Sequence, residues 1–252
     1  MKSIPSPRMT RSRPIGVITG TGITEQFELG RPRTVGTRFG IVNVFTHEKG
    51  DYVIIPRHGA DHISPPHGIN YRANIAALGR LGVRKVIATS AVGSMNQGFR
   101  VGEIGLADQF LDFTKRRQTT FFERTVVHTD MTYPYSRHLN KEILAAAKRI
   151  GLKVRENLVY VCAEGPRFET AAEIKMFRTL GGDVVGMTGV PEVVLANEMK
   201  LEYSSVLVAT NWAAGMQPKV TQQEVLRMMK KSGRTVKHLI EATVAELWGD
   251  NI

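Results

Sequence analysis

The feature that most constrains this chain is an alternation between short, continuous apolar runs and segments with helical periodicity. Six runs stand out: Ile15–Thr19, Tyr52–Pro56, Lys85–Ser90, Leu158–Ala163, Asp183–Thr188 and Ser204–Thr210. Their apolar residues are continuous rather than alternating, the pattern of strands covered on both faces. Between them, Tyr71, Ile75, Leu78 and Leu81 share one helical face, and Gly82 is placed to end that helix. Ile143, Ala147 and Ile150 before Gly151 repeat the pattern. A third helix is predicted over 171–180, because Thr170 and Glu173 have the spacing of a capping box and Gly181 follows its end. A fourth starts at Pro191, and a fifth runs from Gln222 to Trp248. This order predicts an α/β fold in one domain, with a mostly parallel or mixed central sheet flanked by helices. Ligands of such sheets collect at the carboxyl ends of the strands.

Composition narrows the class. With 252 residues, 42% of them hydrophobic, the chain can bury a full core without staples. A single domain over 14–252 is expected, preceded by a basic tail over 1–13 that is expected to be disordered. The lone Cys162 can form no internal disulfide, and no apolar run approaches the ~20 residues of a spanning helix. A cytoplasmic protein with no membrane partner is expected. The net charge of +11 favours anionic partners. The densest cluster is Lys115, Arg116 and Arg117, but there is no helix-turn-helix, zinc-finger or aromatic RNA-binding pattern. The excess therefore reads as solvated surface tuned to an anionic substrate. A nucleic-acid-binding domain is the alternative from a different class.

The predicted strand ends share a chemistry. Thr19–Gly22 combines glycines with the Thr21 hydroxyl. It is either an anion cradle or a tight turn, because Glu25 stands where a dinucleotide fingerprint has its third glycine, and no Gly-Lys-Ser/Thr follows. Arg57 offers a fork for an oxyanion, and His58 a second donor. His58 and His62 lie four apart, but Gly59, Pro65 and Pro66 mark a loop, and no metal is expected. Ser90 and Ala91 follow the third strand, and Met187, Thr188 and Gly189 stand before a helix N-terminus, where anions are favoured. Together these suggest one oxyanion site for phosphate or a phosphate ester. Glu169 lies just outside the predicted cap and is free to aim into a pocket. Phe168 beside it either stacks on a flat ring or fills core. Asn211 offers both a donor and an acceptor to the edge of a heterocyclic base.

The ordered set Thr19–Gly22, Arg57–Gly59, Asn70–Asn74, Ser90–Ser94, Glu164–Phe168, Met187–Glu192 and Asn211–Gly215 resembles the trimeric purine nucleoside phosphorylases, on their methylthioadenosine/methylthioinosine branch. The resemblance runs from about Ile15 to Trp248. It implies cleavage of the N-glycosidic bond of a purine nucleoside by inorganic phosphate, giving a free base and a ribose 1-phosphate. It also implies a homotrimer with sites at subunit borders, and phosphate as co-substrate with no metal or organic cofactor. By position it assigns Thr21, Arg57, His58, Ser90, Ala91 and Thr188 to phosphate, and Met187 to the ribose. His128 resembles a residue that a neighbouring subunit contributes near the 5′ end. Asn211, Glu169 and His58 are the expected catalytic groups.

Adenosine-specific relatives carry an Asp-x-Asp pair where this chain has Asn211 and Ala213. Glu169 stands where a glutamate of the family accepts from N1–H. A 6-oxopurine is therefore expected, with a methylthioadenosine phosphorylase accepting adenine as the alternative. Phe168 and Ala213 complete the expected base pocket. At the 5′ side, Val225 is apolar, while Gln222 occupies a position that meets a 5′-hydroxyl in inosine-type relatives. S-methyl-5′-thioinosine and inosine or guanosine both stay open. A hydrolase of the same fold would use water in place of phosphate.

Overall fold

A computed structural model describes residues 13–59 and 64–249. The expected tail up to residue 12, and His62, lie outside the described residues. Nine strands are present: β1 (Ile15–Thr19), β2 (Arg33–Thr37), β3 (Gly40–Thr46), β4 (Tyr52–Pro56), β5 (Lys85–Ser94), β6 (Ile104–Phe113), β7 (Val154–Ala163), β8 (Val184–Gly186) and β9 (Glu202–Trp212). Five helices accompany them: α1 (Tyr71–Arg80), α2 (Arg137–Arg149), α3 (Ala171–Thr179), α4 (Gly189–Glu198) and α5 (Gln222–Trp248).

The sheet order is β2-β3-β4-β1-β5-β8-β7-β6-β9, and β9 also pairs with β5. The strands β5, β8, β7, β6 and β9 therefore close on themselves as a ring. The sheet is mixed: β2–β3, β3–β4, β5–β8 and β6–β9 are antiparallel, and the other pairs are parallel. The apolar runs do not reveal β2, β3 and β6. β2 and β3 form an edge hairpin that is buried at scattered positions only, and β6 ends in an exposed-to-intermediate stretch that carries Asp108, Gln109 and Asp112.

The helices follow the caps. Asn70 accepts from the Ala73 N–H at the start of α1, and Ser136 accepts from Leu139 at α2. At α3, Thr170 and Glu173 form both bonds of the capping box. At α4, Val190 is extended (φ −116°, ψ 132°), so regular helical turns begin at Pro191. α1 and α4 pack on one face of the sheet, with Leu78, Val193 and Leu195 in the core. α2 and α5 cover the other, with Ile143, Val236 and Leu239. Burying each such side chain stabilises the fold by about 1.5–3 kcal/mol.

The topology sets the site. β4, β5 and β9 run parallel to β1 or to one another, so the carboxyl ends of β1, β4, β5 and β9 share one edge. β8 is antiparallel to the end of β5, with Val185 opposite Gly93. It thus runs back toward Ser90 and delivers Met187 and Thr188 to that edge.

Candidate active site

A cleft opens at this edge. It is lined by Thr21, Arg57, His58, Pro66, Ser90, Ala91, Phe168, Glu169, Met187, Thr188, Thr210, Asn211 and Val225, among others. Eleven of the residues singled out from the sequence meet here. Three do not. Ala213 is buried in a satellite core with Met95, Val161 and Phe177, where its N–H donates to Ser94 O. Gln222 is exposed at the start of α5, while Val225, one turn on, reaches the cleft. His128 is exposed, on the long connection between β6 and α2.

One end of the cleft is built around Arg57, which is 2% exposed. Its Nε and Nη2 donate to the two carboxylate oxygens of Glu192, at 2.6 and 2.7 Å, and Nη1 donates to Thr89 O at 2.7 Å. The guanidinium has five N–H groups, so two remain for a ligand. Burial works against the charge, and the Glu192 carboxylate more than offsets it, so the pKa of Arg57 is raised. Glu192 is itself fully buried, and Tyr203 donates a third hydrogen bond to it at 2.7 Å. The sequence reading missed Glu192 because a glutamate in the first turn of a helix ordinarily faces solvent and the positive end of the helix dipole.

The backbone at this end requires glycine at position 20. An added Cβ there would meet Thr89 O at 2.8 Å and Arg57 Nη1 at 3.0 Å, while the Gly20 N–H donates to Thr89 Oγ1. At the α4 terminus the backbone amides are already engaged. The N–H groups of Thr188 and Gly189 both donate to the Tyr160 hydroxyl at 3.2 Å. Thr188 therefore has its side chain to offer an anion. Ser90 Oγ is buried at the cleft without a protein partner. His58 Nδ1 is bonded to Ser64 O at 2.8 Å, which sets the ring's orientation.

Glu169 and Asn211 line the same cleft. One oxygen of the Glu169 carboxylate, Oε1, is buried and has no partner. Burial raises the pKa of this group, and neighbouring Glu173 adds to the effect. Phe168 beside it is 37% exposed, a flat apolar wall and not core filler. Asn211 owes its place to a bulge. The β5–β9 register slips by one between Val92 and Gly93, so that Thr210 is the extra residue and Gly93 faces Asn211. Bulges of this kind re-aim side chains. Asn211 Oδ1 accepts from Thr210 Oγ1 at 2.8 Å, and Nδ2 donates to Trp212 O at 2.9 Å. The amide is thus fixed, with one N–H left over.

Among the described residues no group of histidine, cysteine and carboxylate side chains could hold a metal ion, and no helix is long and apolar enough to cross a membrane. The arrangement can hold an oxyanion against Arg57, Ser90 and Thr188 while an acceptor and a donor face a polar ring edge.

Known proteins are similar to this chain in sequence or in fold. A probable S-methyl-5′-thioinosine phosphorylase from Methanopyrus kandleri is 48% identical over 237 residues, covering 91% of each chain. A 6-oxopurine nucleoside phosphorylase from Pyrococcus furiosus is 44% identical over 242 residues, again covering 91% of each. Among solved structures, the methylthioadenosine phosphorylase of Schistosoma mansoni in complex with adenine superposes with a TM-score of 0.88 at 30% identity, covering 94% of this chain and 93% of the other. The model of the phosphorylase superfamily matches residues 14–245, and the chain belongs to that superfamily.

Proposed function

We propose that this protein phosphorolyses the N-glycosidic bond of a 6-oxopurine nucleoside, giving a free purine and a pentose 1-phosphate. The observation that carries the reading is the pairing, in one cleft, of a buried guanidinium end with an unpartnered, buried Glu169 oxygen. A 6-oxopurine presents N1–H as a donor, which suits that oxygen, and O6 and N7 as acceptors, which suit the remaining Asn211 N–H. Adenine presents an acceptor at N1 and would face the Glu169 carboxylate lone pair to lone pair.

In the mechanism, inorganic phosphate sits against Arg57, His58, Ser90, Ala91, Thr21 and Thr188. As the glycosidic bond breaks, positive charge grows on the ribose above Met187, and the phosphate beneath stabilises it before attacking C1′. Negative charge grows on the purine, where Asn211 donates to N7 or O6. A preorganised donor of this kind contributes about 3–4 kcal/mol to the barrier reduction. Two hydrogen bonds to Glu192 hold the Arg57 guanidinium in place before phosphate arrives, so it needs no reorganisation.

For the 5′ group we favour S-methylthio over hydroxyl. Val225 lines the cleft and Gln222 does not, which supports an apolar 5′ substituent. The Methanopyrus relative's name agrees. We further read the working unit as a cytoplasmic homotrimer in purine salvage, with His128 of one chain serving the next. The test is a rate assay with S-methyl-5′-thioinosine, inosine, guanosine and methylthioadenosine, with and without phosphate. Methylthioinosine is expected to be fastest and strictly phosphate-dependent. Faster cleavage of the adenine substrate, or cleavage without phosphate, refutes the reading.

A further inference from the structure

The fold splits the densest cationic run of the sequence. Lys115 and Arg116 are exposed, whereas the side chain of Arg117 is 1% exposed. Its guanidinium is not part of the cleft lining and joins three segments of the chain. Nη1 donates to Val190 O at 2.5 Å, two residues beyond Thr188. Nη2 donates to Glu164 O at 2.8 Å, at the start of the loop that carries Phe168 and Glu169. Nη1 also donates to the Tyr71 hydroxyl at 3.2 Å, and that hydroxyl donates to the carbonyl of Pro66, a cleft residue, at 2.8 Å. The guanidinium carbon stands 5.5 Å from the centre of the Tyr71 ring. The fork geometry of arginine makes this possible; the compact ammonium of lysine cannot reach carbonyls on separate segments in the same plane.

The same three segments also approach one another at Gly165, beside Met187 and Pro66, which line the cleft. Gly165 has φ +65°, and an added Cβ would stand 2.6 Å from Met187 Sδ and 3.4 Å from Pro66 Cγ. The loop bearing Glu169, the turn bearing Thr188 and the Pro66 wall therefore come together at Gly165, and one cation links the first two directly and the third through the Tyr71 hydroxyl.

We propose that Arg117 is a positioning residue that couples the base-reading loop to the anion-gripping turn, so that the two ligands of the cleft bind interdependently. It touches neither ligand; it acts through the carbonyls of Glu164 and Val190 and through Tyr71. The identity of the ligands rests on the function proposed above, while the mechanical link does not.

The test compares wild type with Arg117→Met, Arg117→Lys and Tyr71→Phe, each checked for folding by circular dichroism. Hydrogen exchange of the unliganded proteins reads the mechanical link. In R117M, exchange rises together over 64–69, 164–169 and 187–190, and in Y71F it rises over 64–69 alone. Kinetics reads the coupling. In R117M, kcat/KM with methylthioinosine falls roughly 100-fold, the expected effect of a misplacement of about 1 Å. Hypoxanthine binding by R117M no longer responds to phosphate. R117K restores this response in part only. Folded R117M with exchange altered in one segment or none, or with wild-type dependence of base binding on phosphate, overturns the proposal. Should R117M fail to fold, R117K with wild-type coupling overturns it equally. An inactive wild type sinks the proposed function instead, and the exchange pattern still decides the role of Arg117.

Discussion

Glu169 keeps one carboxylate oxygen buried and unpartnered, and burial raises its pKa above the ordinary glutamate value. The sign of the consequence follows. To accept from N1–H the group must be ionised, so binding of a 6-oxopurine weakens as pH falls through the raised value, on an acid limb higher than a free carboxylate would give. For folding, the neutral form is preferred, so the stability this group contributes is greatest at low pH and is lost as pH rises through the folded value. Glu169→Gln removes that penalty. Its melting temperature at neutral pH should equal or exceed that of wild type, while kcat/KM for the inosine-type substrate falls by roughly 10–100-fold, as one mispaired polar contact implies. Differential scanning fluorimetry and rates from about pH 5 to 8 check both halves. A variant with wild-type rate and an unmoved acid limb would remove Glu169 from the base site. Glu169 and Asn211 were legible because cap spacing and strand ends exposed them. Glu192 and Arg117 were not, because a charged residue shows its burial only through partners far away in sequence, such as Arg57 for Glu192 and Val190 for Arg117.

At the scale of elements, helices were more legible than strands. Caps are local: Thr170 and Glu173 are three residues apart, and both bonds of their box form. Glu173 is also forked by Arg167, at 2.7 and 2.8 Å, and these bonds with the Thr170 N–H hold its pKa down to about 2. That ion pair is exposed and adds little to stability. The strands β2, β3 and β6 escaped because half-exposed strands carry polar residues that the criterion of continuous apolar runs rejects. The bulge at Thr210 escaped because register is a property of two strands, not one. The loop between β7 and α3 has its own prediction. At Gly165 an alanine meets both a left-handed backbone, which costs about 1–2 kcal/mol, and the sulfur of Met187 at 2.6 Å. Gly165→Ala should remain folded, lose about 1–3 kcal/mol in urea denaturation, and raise KM for the nucleoside. A variant equal to wild type in both would show that Met187 yields freely.

Across the whole molecule, the α/β alternation was readable, but the neighbours of each strand were not. The closure of β5, β8, β7, β6 and β9 into a ring depends on the β5–β9 and β6–β9 pairings, which join residues about a hundred positions apart in the chain. Surface chemistry adds a constraint at this scale. Val126 is 85% exposed, Val127 47% and Tyr133 54%, all on the connection that carries His128. A cluster of apolar side chains on one exposed connection is what a surface covered by another protein presents. If a second copy of the chain covers it, as the proposed homotrimer requires, a single charge there separates assembly from folding. Val126→Asp should keep the circular dichroism spectrum of wild type. Its mass by light scattering should fall from three chains toward one, and its rate should fall with it, since His128 then serves no neighbouring cleft. A wild type that is monomeric at assay concentration, or a monomeric variant with full activity, would leave the cleft complete within one chain and the connection without a catalytic part.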